Sequence, residues 1–88
     1  MVEKEVEVIN ELGIHARPSS MIVKTALKFK SSIFLVKSGA EADAKSIMSV
    51  MMLAATSGSK VTIRAEGDDE GEAVNAIAEL FKNKFNEE

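Results

Sequence analysis

Several residue types are missing or rare in this 88-residue sequence. It contains no cysteine, tryptophan or tyrosine, and it has one histidine and one proline. The absence of cysteine excludes disulfides, thiol chemistry and a zinc site built from cysteine ligands. A single histidine is too few for a histidine-rich metal site. We therefore expect a protein that holds no metal and no cofactor.

Charge and hydrophobicity limit the classes of partner. The net charge is −3 and the pI is about 5.2. These values argue against nucleic-acid binding, which depends on a clustered basic face. No apolar run approaches the roughly 20 residues of a membrane-spanning helix, and the N-terminal stretch MVEKEVEV does not resemble a signal peptide. No membrane insertion is expected, and a cytoplasmic location fits these features.

The length and the order of the periodic segments predict one domain spanning residues 1–88. The predicted elements, in chain order, are a strand over 2–8, a helix over 16–30, strands over 32–37 and 40–44, a helix over 47–53, a strand over 61–66, and a helix from 68 to about 85. The order β-α-β-β-α-β-α is typical of one sheet with its helices packed on one face.

Local patterns support these elements. Val61, Ile63 and Ala65 are expected to face inward, because alternate residues of a strand lie on the same face. Ser46 precedes the segment IMSVMML and is predicted to cap a short helix with its hydroxyl oxygen. Gly13 follows the first predicted strand, and its freedom to take a positive φ allows a sharp turn there.

The segment LGIHARPSS, residues 12–20, contains the histidine and the proline. It leads into the first predicted helix, so His15 lies beside backbone N–H groups that have no acceptor within the helix. A helix start of this kind attracts phosphate and disfavours a protonated imidazole. A neutral imidazole is a nucleophile, and Arg17 offers a planar set of donors for phosphate oxygens. These residues indicate a site where a phosphoryl group is accepted and held.

Plainer interpretations of this segment remain open at this point. A histidine beside a helix start is commonly a cap or a solvated side chain, and Arg17 is compatible with an ordinary surface residue. A Ser-His-Asp triad is disfavoured, because Asp43, Asp68 and Asp69 have no spacing that indicates an orienting acid. No phosphate-binding glycine loop is present, so we do not expect ATP binding by this chain.

The segment LGIHARPSS resembles the active-site signature of the HPr family, the histidine-containing phosphocarriers of the bacterial phosphoenolpyruvate-dependent sugar phosphotransferase system. A second segment, KSIMSVMML at residues 45–53, resembles the regulatory serine region of that family. The resemblance covers essentially the whole chain in length, element order and motif separation. It implies an α+β fold, the open-faced β-sandwich, in which a four-stranded antiparallel sheet carries three helices on one face.

The resemblance also implies a role for each active-site residue. His15 is expected to accept a phosphoryl group on Nδ1 from phosphorylated enzyme I, and to pass it to the A-domains of sugar-specific enzymes II. Arg17 is expected to stabilise that group during transfer. The protein is then a stoichiometric carrier and not an enzyme, and a monomer is the simplest form for a carrier that docks to several partners.

The second segment implies regulation through Ser46. The resemblance makes this serine the target of an ATP-dependent HPr kinase/phosphorylase. The seryl-phosphorylated form is then expected to slow histidine phosphorylation and to act as corepressor with a catabolite-control transcription factor. Ser49 stands where relatives with this serine switch commonly have glycine, and this departure from the family pattern is expected to weaken or alter recognition by the kinase.

The methionine-rich segment predicts a docking surface. The segment IMSVMML carries Ile47 and the methionines Met48, Met51 and Met52 beside its other apolar residues, and this group of four large side chains exceeds what one buried stripe requires. Flexible methionine suits a surface that meets several partners. The resemblance assigns Ile47, Met48 and Met51 to partner binding. It places Ser20 and Lys24, one and two helical turns after the active site, on the same rim.

Two other functions are compatible with these motifs. One is a purely regulatory HPr-like module, and the other is the nitrogen-related branch of the phosphotransferase system. His15 together with Arg17 argues against a regulatory role alone, whereas the Ser46 segment favours the sugar branch.

Overall fold

Four antiparallel strands form one sheet in the computed structural model, which describes residues 1–87. They are β1 (Val2–Glu7), β2 (Ser32–Lys37), β3 (Ala40–Asp43) and β4 (Lys60–Glu66), in the spatial order β1-β4-β2-β3. β4 lies between its two neighbours and pairs with both: Val61 lies opposite Val6 of β1, and Ile63 lies opposite Leu35 of β2. Glu88, the last residue of the predicted domain, lies outside the described residues.

Three helices cover one face of this sheet and leave the other face open. They are α1 (Ala16–Ala26), α2 (Ile47–Met52) and α3 (Glu70–Lys82). α3 packs against β1 and β4, while α1 packs against α2 and α3. The predicted open-faced β-sandwich is therefore confirmed. Within residues 1–87, none of the helices combines the length and the apolar character that crossing a bilayer requires.

The core lies between the sheet and the helices. The alternation predicted for β4 is confirmed, since Val61, Ile63 and Ala65 are each at most 1% exposed. On the open face, the Arg64 guanidinium lies 5.3 Å from the centre of the Phe34 ring and pairs with a glutamate of β3. The largest fully buried side chains include Phe81, Phe85, Ile22, Ile33, Leu35, Ile63 and Ile77.

α1 ends at Ala26, so the predicted helix over 16–30 was four residues too long. The backbone N–H groups of Lys30 and Ser31 do not continue the helix but donate to the Asp69 carboxylate, at 2.9 and 3.0 Å. The Ser31 hydroxyl donates to the same carboxylate. These bonds, first that of the Ser31 hydroxyl and then that of the Lys30 N–H, lower the pKa of Asp69 from 3.8 to about 2. Helix α1 itself ends through local i→i−3 bonds of the Lys28 and Phe29 N–H groups, and the Asp69 carboxylate holds the connection that leads into β2.

α3 ends at Lys82, so the helix predicted to run to about 85 was also too long. A short 3-10 turn, Lys84–Asn86, follows, and its three residues have φ values of 55°, 55° and 62°. This left-handed turn brings the Phe85 ring back onto the core. The ring is 1% exposed, and its centre lies 5.0 Å from that of Phe81 in an edge-to-face arrangement. Burial of the ring offsets the strain of the turn, and it returns the chain end to the loop before α1.

Candidate functional site

The loop between β1 and α1 holds His15 in a defined position. Gly13 has a φ of +70°, and a Cβ atom at this position would lie 2.7 Å from the Ala55 carbonyl oxygen. The N–H of Ile14 donates to that same oxygen at 2.9 Å, and the Ile14 side chain is 6% exposed. Only glycine fits the close approach of these two backbones. The residue that follows Ile14 is therefore presented at a fixed point on the surface.

His15 is the residue that precedes α1, as predicted. Its backbone is extended, and its carbonyl accepts the Ser19 N–H at 3.0 Å, which closes the first turn. The imidazole does not cap the helix. The N–H groups of Ala16 and Arg17 therefore keep the free donor character of a helix start, while Pro18 in the first turn has no N–H to satisfy. No acidic side chain lies in this turn, so its positive end is available to an anion.

The imidazole of His15 makes its hydrogen bond with Glu87 at the far end of the chain. The distance between His15 Nε2 and Glu87 Oε2 is 2.6 Å. Arg17 Nη1 lies 3.6 Å from the same oxygen, so one carboxylate oxygen joins the two residues of the predicted active site. The His15 side chain is 36% exposed and that of Arg17 is 57% exposed, whereas Glu87 is only 16% exposed.

Asn10 holds the other oxygen of the carboxylate. Its Nδ2 donates to Glu87 Oε1 at 3.0 Å and to the Gly13 carbonyl at 2.7 Å, and the residue is 2% exposed. The bond from Asn10 is the largest cause that lowers the pKa of Glu87, followed by the bond with His15 and then by the charges of His15 and Arg17, while burial acts in the opposite direction. Glu87 is therefore an ionised, oriented carboxylate at neutral pH. Asn10 connects it to the loop that carries His15.

Glu87 and Asn10 belong to the candidate site but to none of the motifs found in the sequence. Glu87 lies 72 residues from His15, and its approach depends on the left-handed turn over Lys84–Asn86. Of those three residues, Asn86 alone is of a type that commonly adopts a left-handed conformation, which is too weak a signal to predict three such residues in a row. Asn10 lies in the loop after β1, where polar residues are common, and its role is visible only from its hydrogen bonds to Gly13 and Glu87. These two residues could be found only once the two ends of the chain were seen together.

The predicted cap of α2 is confirmed. Ser46 has an extended backbone, and its Oγ accepts the Ser49 N–H at 3.3 Å. Among residues 1–87, the hydrogen bonds of the Ser46 side chain do not connect it to His15 or Arg17. Its helix nevertheless packs on α1, which begins next to His15.

The apolar side chains of α2 point mostly to solvent. Ile47 is 45% exposed, Met48 is 67% exposed and Met51 is 43% exposed, while Val50 between them is fully buried. Met52 is the most exposed of the group at 76%. Helix α2 thus presents an exposed apolar surface. On α1, Ser20 is half-buried and Lys24 is exposed.

Similarity to known proteins identifies the family. The family model described as PTS HPr component phosphorylation site matches residues 2–83. Phosphocarrier protein HPr of Treponema pallidum is 50% identical over 88 residues, which are 100% of both chains. The HPr-like protein Crh of Halalkalibacterium halodurans is 49% identical over 84 residues, which are 96% of this chain and 100% of Crh.

Solved structures agree with this similarity. HPr-C-His from Thermoanaerobacter tengcongensis is 45% identical and superposes with a TM-score of 0.96, over 100% of this chain and 99% of that one. An HPr dimer from the same organism superposes with a TM-score of 0.79 at 45% identity, over 99% and 100% of the two chains. The chain belongs to the HPr family of phosphocarrier proteins of the phosphotransferase system.

Proposed function

We propose that this chain is a phosphoryl carrier that accepts a phosphoryl group on His15 from phosphorylated enzyme I, whose own donor is phosphoenolpyruvate. It passes the group to the A-domains of sugar-specific enzymes II. The observation that carries the proposal is the arrangement of His15 at the start of α1. Its Nε2 is bonded to Glu87, its side chain does not cap the helix, and Arg17 lies beside it.

The transfer step needs few groups. The lone pair of His15 Nδ1 forms a bond to phosphorus, while the bond between phosphorus and the donor breaks and its electron pair stays on the donor. The free N–H groups at the start of α1 and the exposed Arg17 guanidinium stabilise the charge on the phosphoryl oxygens. Transfer to an enzyme II reverses this step with a new acceptor. The protein is a reactant consumed and regenerated in stoichiometric amount, not an enzyme.

Partner docking is proposed for the exposed surface beside the site. Ile47, Met48 and Met51 supply apolar area that adapts to different partners. Ser20 and Lys24 on α1 supply the polar edge of the same surface. A monomer in the cytoplasm, made of a single HPr domain, is the form that leaves this surface accessible to enzyme I and to enzymes II in turn.

Regulation is proposed at Ser46. An HPr kinase/phosphorylase that uses ATP would phosphorylate the hydroxyl, adding close to two negative charges beside the docking surface. That charge repels an acidic partner surface and slows phosphorylation of His15. The seryl-phosphorylated form would also serve as corepressor with a catabolite-control transcription factor.

A second candidate is a purely regulatory module, or a member of the nitrogen branch of the phosphotransferase system. The 49% identity to the HPr-like protein Crh favours the regulatory alternative. His15, with Arg17 beside it and a carboxylate on its Nε2, favours the carrier. The alternatives differ in whether the histidine is phosphorylated and in which partner receives the group.

Intact-mass analysis tests the proposal. The chain is incubated with phosphoenolpyruvate and a bacterial enzyme I, and the product is then exposed to mild acid. We expect one phosphoryl addition that is lost in acid, because phosphohistidine is acid-labile, and no addition to the His15→Ala variant. An acid-stable addition that appears only with ATP and the serine kinase would support the regulatory module instead.

A further inference from the structure

The Glu87 carboxylate is placed to control which nitrogen of His15 is free. Its Oε2 lies 2.6 Å from Nε2, a hydrogen bond slightly shorter than the usual N–H···O contact with a carboxylate. An ionised carboxylate can only accept hydrogen bonds. Nε2 must therefore carry the proton in this contact. In the neutral ring, the lone pair is then on Nδ1.

We propose that Glu87 is a positioning residue that holds His15 in the Nε2–H tautomer and so directs phosphorylation to Nδ1. The proposal rests on the proposed function, since it concerns the histidine assigned there as acceptor. Glu87 touches neither the phosphoryl group nor the donor. It acts through the imidazole: Nε2 and Nδ1 are separated by Cε1 and their in-plane bonds diverge, so a carboxylate bonded to Nε2 leaves the Nδ1 lone pair free.

The surroundings of Glu87 make this contact persistent. Asn10 Nδ2 holds Oε1 at 3.0 Å, and Asn10 itself is 2% exposed and bonded to the loop that carries His15. Arg17 Nη1 lies 3.6 Å from Oε2 on the other side. The buried Phe85, two residues earlier, anchors the chain end to the core. The carboxylate is thus held from three directions, as a tautomer-fixing group must be.

The same contact has a consequence after transfer. When the P–N bond forms at Nδ1, no proton needs to leave, because the one on Nε2 stays in place. The ring then carries a positive charge, and the Glu87 carboxylate is already next to it. A carboxylate in this position stabilises the phosphorylated imidazolium. Removal of the carboxylate should therefore slow acceptance of the phosphoryl group.

The test uses the full chain, labelled with ¹⁵N, in three variants. Glu87→Ala removes the acceptor, Glu87→Gln keeps a neutral acceptor, and Glu79→Ala is the matched control at an exposed glutamate of α3. Two-bond ¹H–¹⁵N spectra of the neutral imidazole report the tautomer. Rapid-quench reactions with phosphorylated enzyme I report the rate of acceptance, and the same spectra of the product identify the phosphorylated nitrogen.

We expect wild type, Glu79→Ala and Glu87→Gln to show the Nε2–H tautomer, and Glu87→Ala to show a second population with the proton on Nδ1. Acceptance should slow by about tenfold in Glu87→Ala, and by less in Glu87→Gln, in line with the loss of one charge-assisted hydrogen bond. An unchanged tautomer and an unchanged rate in Glu87→Ala would overturn the positioning role while leaving the carrier function intact. If wild type accepts no phosphoryl group, the carrier function fails instead, and the tautomer spectra still decide the role of Glu87.

Discussion

Truncation of Phe85 should cost the protein a large part of its stability, because this ring joins the chain end to the core. The side chain is 1% exposed and lies edge-to-face with Phe81 at 5.0 Å. Removal of a buried phenyl group costs about 3–5 kcal/mol, of which an aromatic pair supplies about 0.5–1.5 kcal/mol. We expect about 3 kcal/mol for Phe85→Ala, at the lower end, because a site close to a chain end can relax.

Urea unfolding followed by circular dichroism measures this change. Domains of this size lose about 4–8 °C in Tm for each kcal/mol, so thermal unfolding should shift by roughly 12 °C or more. Phe85→Leu keeps most of the apolar volume and should lose only about 1 kcal/mol. Phe34→Ala is the matched control at a half-buried ring on the open face of the sheet. A loss below about 1 kcal/mol for Phe85→Ala, far under the core range, would refute the anchoring of the chain end.

Three further predictions concern the loop before α1, the end of α1, and Ser46. Gly13→Ala should destabilise the protein by about 3 kcal/mol, because the new Cβ combines a positive φ with a clash. Gly39→Ala is the control: its φ is +84° but the space around it is open, so it should lose only about 1 kcal/mol. The urea midpoints of the two variants are compared. The pKa of Asp69 is lowered to about 2 by its hydrogen bonds, so its contribution to stability is complete above pH 3.8 and is lost as pH falls toward 2. Asp69→Asn should therefore be less stable at pH 7 and show a smaller loss between pH 4 and pH 2 in urea titrations; parallel curves for both proteins would contradict this. Ser46→Asp should slow phosphoryl acceptance by about threefold at low salt and less at high salt, in rapid-quench assays, because the added charge is screened; identical kinetics at low salt would count against electrostatic regulation.

Much of the fold could be predicted because its signals are local. The alternation in β4 depends only on neighbouring residues, and it placed Val61, Ile63 and Ala65 correctly in the core. The cap at Ser46 depends on a hydroxyl and an N–H three residues apart. The position of His15 before α1 follows from the proline and the change of period. The residues that make such local interactions lie within or beside the element that they determine, so the sequence of that segment is enough to predict it.

The errors came from interactions between distant parts of the chain. Lys30 was placed in α1, although its N–H donates to Asp69, which lies 39 residues away in the sequence. α3 was predicted too long because burial of Phe85 favours a left-handed turn that includes Lys84 and Phe85, two residues with no preference for one. Glu87 was missed for the same reason. The candidate site was therefore predictable only in part: His15 and Arg17 came from one motif, and the carboxylate that joins them did not.

The carrier function is tested most directly by onward transfer. The chain is phosphorylated with enzyme I, separated from it, and mixed with the purified A-domain of a sugar-specific enzyme II, and both proteins are followed by intact mass. We predict that the phosphoryl group leaves this chain and appears on the A-domain in equal amount, with no such transfer from a His15→Ala preparation. A phosphoryl group that stays on the chain, or that is lost only to water, would contradict the account.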